Sequence, residues 1–118
     1  MTPLRTLLTS CCLLAAMPAA QANDFPTVDR VLYVQECVRT NPGPHYEMIN
    51  KCSCALDRLA GEVKFADYVN MNTIVNAVSI GGERGGQLRD NETVKPQIAR
   101  YRDLQAKARK ACFIGPPQ

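Results

Sequence analysis

Apolar positions recur at spacings of three and four along four stretches of this chain, and each such stretch reads as a helix. Val28, Val31, Val34 and Val38, flanked by Phe25 and Leu32, predict a helix over 28–39, with Thr27 as N-cap and Asp29 in the first turn. Valine-rich composition alone would suit a strand, and the spacing decides for helix. The run Thr40-Asn41-Pro42-Gly43-Pro44 then breaks the chain, because two prolines around a glycine cannot continue a helix.

From Pro44 a second helix carries Met48, Ile49, Cys52, Ala55, Leu56 and Leu59 on one side and Glu47, Asn50, Lys51, Asp57 and Arg58 on the other, with Gly61 as its expected C-cap. Phe65, Tyr68, Met71, Val75 and Val78, with Val69 and Ile74 beside them, give a third over 65–80. Asn70, Asn72 and Asn76 weaken that pattern without overturning it. Gly81-Gly82 stops it. After a glycine-rich segment expected to be a loop over 81–91, Asp90, Asn91 or Thr93 can cap a last helix that tolerates Pro96 in its first turn and runs through Val94, Ile98, Tyr101, Leu104, Ala108, Ala111 and Cys112. The expected fold is therefore all-α, a small domain of four helices.

The start of the chain differs in kind. Arg5, the uncharged apolar run Leu7 to Met17 and the small-x-small site Ala20-Gln21-Ala22 form the three zones of a cleaved secretory signal over residues 1–22. The run is far below the roughly 18 apolar residues of a spanning helix, so no transmembrane anchor is expected. Leu8-Thr9-Ser10-Cys11 resembles a bacterial lipoprotein box, but two leucines are too little hydrophobic core before it, and anchoring at Cys11 is disfavoured. Residues 23–118 make one domain. The signal has bacterial proportions, which points to the periplasm.

With Arg5 removed, 13 basic residues face 11 acidic ones, too slight an excess to imply nucleic acid. The distribution says more. Lys95, Arg100, Arg102, Lys107, Arg109 and Lys110 crowd the last helix against Asp103 alone, which suits either a solvated face complementing the helix dipole or a docking face for an acidic protein or lipid headgroups.

Four cysteines survive the signal: Cys37, Cys52, Cys54 and Cys112. An even number in a small exported chain argues for disulfides. Residues 52 and 54 lie about 200° apart around a helix, so they suit two partners better than each other. An antiparallel hairpin brings Cys37 nearer the level of Cys52, favouring Cys37–Cys52 with Cys54–Cys112 over the crossed pairing. A Cys-x-Cys pair could alternatively serve thiol–disulfide exchange or copper(I) handling, which need two sulfurs at one centre, with Lys51 and Arg58 near Cys54 to favour a thiolate.

Other chemistry is poorly supplied. His45 is the one histidine and reads as an exposed helix-start residue; there is no Cys-x-x-Cys-His haem motif, no finger-like zinc spacing and no Gly-x4-Gly-Lys phosphate loop. No catalytic residue, metal or cofactor is expected. The segment Gly81, Gly82, Glu83, Arg84, Gly85, Gly86 and Arg89 remains a candidate: converging backbone N–H groups and two arginines could meet a partner protein or small anion, or form a compact surface loop.

At Glu36-Cys37-Val38, Lys51-Cys52-Ser53-Cys54, Gly81-Gly82-Glu83-Arg84-Gly85-Gly86 and Ala111-Cys112-Phe113, the chain resembles small exported bacterial proteins of unassigned activity, of the kind encoded near quinoprotein alcohol dehydrogenases and their cytochromes. That resemblance spans most of residues 23–118 and implies an accessory role, with another periplasmic protein as partner and a quinoprotein dehydrogenase system as candidate. It transfers no catalytic residue.

Overall fold

The computed structural model describes residues 23–116; the signal read over 1–22, with its alternative anchor Cys11, lies outside the described residues. Among the described residues the chain forms five helices and no strand: α1 (Thr27–Thr40), α2 (His45–Glu62), α3 (Phe65–Ser79), α4 (Glu83–Arg89) and α5 (Lys95–Ala111). None is long and apolar enough to cross a membrane.

Helix α2 is the hub. Met48, Cys52, Ala55, Leu56 and Leu59 are all buried along it, packed by α1 on one flank and α5 on the other, with α3 lying against α5. Ile49, expected in the same stripe, is partly exposed instead. The stripe is wider than the seam that α1 and α5 close, and its outer edge is left at the surface. The same holds more strongly for α1. It packs through Tyr33, Val34, Cys37 and Val38, whereas Val28 and Val31, expected in the core, are 68% and 50% exposed.

Helix boundaries follow capping chemistry that differs in detail from the sequence expectation. Thr27 lies inside α1, and the carbonyl of Pro26 accepts the first bond, from Arg30 N–H at 3.0 Å. Gly61 does not end α2, which continues to Glu62 and stops at extended Val63. The start of α3 is held from a distance: the Asp24 carboxylate accepts the Phe65 N–H at 3.0–3.1 Å, satisfying a free helix-start donor and placing negative charge at the positive end of the dipole. Phe25 beside it is buried against Phe65 and Tyr68, each at 5.2 Å between ring centroids.

The four-helix expectation is corrected to five by the segment 81–91. Gly82, at φ 85°, turns the chain after α3, and Glu83 to Arg89 then wind into two helical turns despite two glycines that each cost about 1 kcal/mol of helix propensity. Tertiary contact overrides that cost. A side-chain carbon on Gly85 would fall 1.9 Å from the Ile80 carbonyl oxygen, so α4 reaches its place against α3 only with glycine there. Asn91, expected as a cap, instead accepts from the N–H and hydroxyl of Thr93 at 2.8 and 2.7 Å, shaping the turn before α5.

Candidate functional site

Sulfur first. Cys37 is bonded to Cys52 and Cys54 to Cys112, each with Cα atoms 5.8 Å apart. These pairings are the ones the hairpin geometry favoured, and they act on opposite sides of α2: one ties it to α1, the other to the residue that closes α5. Cys52 is fully buried. All four cysteines among the described residues are thereby engaged.

The glycine-rich segment resolves into structural parts. Arg89 Nη1 donates to the carbonyls of Val78 (2.8 Å) and Ile80 (3.4 Å), capping the end of α3. Gly85 is required by the contact with Ile80, and Gly82 by its left-handed φ. Gly81, Glu83 and Arg84 are exposed, and Gly86 is half-buried. Of the two arginines, Arg89 is committed to backbone carbonyls and Arg84 is exposed.

His45 lies on the rim of a groove between α1 and α2, a cavity of about 630 Å³ floored by Val31, Val34, Val38, Ile49 and Leu56. Arg30 and Asp57 bridge it at 3.5 Å. Among the described residues no three of His, Cys, Asp or Glu gather at one point where a metal could sit.

The most differentiated surface was not singled out from the sequence. Tyr33 of α1, Tyr68 of α3 and Tyr101 of α5 meet in a cleft of about 580 Å³ that also receives Asn72 and Gln105. Tyr68 and Tyr101 stack at 6.0 Å, and Tyr33 meets Tyr68 edge-on at 6.5 Å. Each outer hydroxyl has an amide acceptor: Tyr33 donates to Gln105 Oε1 and Tyr101 to Asn72 Oδ1, both at 2.9 Å.

Burial, reinforced by neighbouring Tyr101, pushes the Tyr33 hydroxyl up to about 12, with Arg109 and the Gln105 hydrogen bond pulling the other way. Burial and Tyr101 raise Tyr68 further still, and burial raises Tyr101. All three stay protonated at neutral pH. They can stack and donate hydrogen bonds, but they offer no phenolate nucleophile or base. The signal available in the sequence was that two helices placed a tyrosine, not an aliphatic residue, on their core stripe, and a buried tyrosine needs a polar partner.

No family model, curated protein or solved structure matches the chain.

Proposed function

We propose that this chain is a small periplasmic binding or accessory protein, not an enzyme, whose disulfides serve structure. The observation that carries this reading is the engagement of Cys52 and Cys54 with two different partners on opposite flanks of α2. Exchange chemistry through a Cys-x-Cys pair needs both sulfurs at one centre and an exposed thiolate, and copper(I) needs both free. Here Cys52 has no exposure at all. The tyrosine cleft and the α1/α2 groove offer surfaces for recognition without a nucleophile and base in register.

Export through the segment 1–22 supplies the oxidising compartment that two disulfides require. The partner is another periplasmic protein, with a quinoprotein dehydrogenase system as the candidate raised by resemblance. The alternative, a thiol–disulfide exchange or copper(I)-handling factor, would require the sulfur pair to be free in the cell. Intact mass under non-reducing conditions, on protein harvested from its native compartment, separates the two. A mass four hydrogens below the fully reduced chain, with no thiol that iodoacetamide can alkylate, is the expected result. A reduced pair, or one that takes up copper(I) stoichiometrically, would establish the alternative.

A further inference from the structure

The end of α5 is closed by a hydrogen-bonding pattern that calls for glycine. Ile114 N–H reaches back to the Arg109 carbonyl at 3.0 Å and Phe113 N–H to that of Lys110 at 3.3 Å, which is the Schellman arrangement with residue 113 in the left-handed position. Phe113 sits there at φ 57°, a conformation that a bulky side chain adopts only at a cost in strain. Its ring contributes little to the fold, being 83% exposed, because Ile114 supplies the buried contact. A strained backbone thus holds a large aromatic ring out in solvent.

That ring borders a concave surface of about 830 Å³ whose floor includes Tyr101, Gln105, Ala106, Ile114 and Pro116. The tail on one side of it is pinned by Arg109, which donates both to Asn41 Oδ1 at 2.7 Å and to the Gly115 carbonyl. Around the mouth the charge is of one sign. Lys95 is paired with Glu92 and Lys107 with Asp103, so Arg100, Arg102 and Lys110 have no carboxylate partner among the described residues, and Arg102 and Lys110 are exposed at the edge of the concavity.

We propose that Phe113, Arg102 and Lys110 form a docking face for an acidic protein segment, one of whose apolar side chains enters the concavity beside Phe113 while flanking carboxylates meet the two cations. This rests on the binding-protein reading above and adds to it a surface and a partner chemistry. A concave apolar floor suits a protruding side chain, whereas a flat anionic bilayer would touch the phenyl ring and leave the floor empty. Charge-assisted contacts at the mouth then set orientation and encounter rate.

The test titrates the blocked hexapeptide EDLFDE, its charge-inverted counterpart KKLFKK and phosphatidylglycerol vesicles into isotopically labelled protein, following amide shifts. EDLFDE should shift a patch confined to residues 101–116, with salt weakening it, and neither other probe should. Phe113→Gly should weaken the peptide by roughly tenfold or more. The same variant should raise the thermal midpoint by a few degrees, because glycine relieves the strain. Arg102→Gln with Lys110→Gln should abolish the shifts, with the midpoint lowered by no more than a few degrees, the loss expected when a cation leaves the last turn of α5. No shift with EDLFDE, shifts indifferent to Phe113→Gly, or association with the vesicles instead would overturn the assignment. If alkylation still finds no thiol in that event, the stapled-binder reading stands and only the docking face falls.

Discussion

Arg109 of α5 donates a 2.7 Å hydrogen bond to Oδ1 of Asn41, the residue that closes α1, across 68 positions of sequence. Asn41 is the one buried polar residue among the described residues, and its own amide donates at 2.7 Å to the carbonyl of Cys37. The cap of one helix, a disulfide half-cystine and the last helix therefore share a single side chain.

Asn41→Ala removes both side-chain bonds, while the Cys37 carbonyl keeps the N–H of residue 41 and the Thr40 hydroxyl and Arg109 keeps the Gly115 carbonyl, so the cost should be that of the two lost bonds, about 1–3 kcal/mol. Urea unfolding measures it. A double-mutant cycle with Arg109→Ala should show a coupling of about 0.5–3 kcal/mol, and strict additivity would mean that the bond is incidental.

Two glycines should respond in opposite directions to the same substitution. Gly61 lies exposed inside α2 with nothing within 4 Å of an added carbon, so Gly61→Ala should stabilise by about 0.5–1 kcal/mol. Gly85→Ala would drive a methyl group to 1.9 Å from the Ile80 oxygen and must push α4 off α3. Thermal unfolding should show the first midpoint rise and the second fall by several degrees. If both rise, the close approach of α4 is wrong.

How far the sequence could be read depended on how local each determinant is. Helix positions for α1, α2, α3 and α5, and the division of Cys52 and Cys54 between two partners, follow from periodicity within a few turns of chain. What escaped was set by distant residues. α4 forms in a segment that glycines mark as loop because Arg89 and Gly85 lock onto the end of α3. Asp24 caps α3 from 41 residues away. The tyrosine cleft escaped for a related reason, since Tyr68 and Tyr101 each count as core on their own helix, Tyr33 lies outside the apolar stripe of α1, and only their meeting across three helices makes a site.

The Cys54–Cys112 bond, at a separation of 58 residues, should contribute about 4 kcal/mol on the chain-entropy model, and Cys37–Cys52, at 15, about 3 kcal/mol. Domains of this size have a total stability of about 5–15 kcal/mol. The double variant Cys54→Ser, Cys112→Ser, which leaves no stray thiol, should lose most of its cooperative unfolding by circular dichroism. A midpoint equal to that of the parent would show that this bond does not hold α5 to the hub.

The tyrosine cleft makes stability fall on the alkaline side. A phenol whose folded pKa is raised binds its proton more tightly in the native state than in the unfolded chain. Its contribution is complete below the ordinary value of 10.0 and is lost as pH climbs through it towards the native value, about 12 for Tyr33. Tyr68 and Tyr101 move in the same direction, so the three should act together. Phenolate absorbance should show tyrosines that resist ionisation until the fold is lost, and the thermal midpoint should drop between about pH 10 and pH 12. Tyr33→Phe and Tyr101→Phe remove the titrating hydroxyl while keeping the ring, and each should flatten that drop. It would also release Gln105 or Asn72 as an unpaired acceptor, lowering the midpoint modestly at neutral pH. An alkaline profile unchanged by either substitution would mean that these rings are solvated, and that the cleft is not the buried junction of α1, α3 and α5.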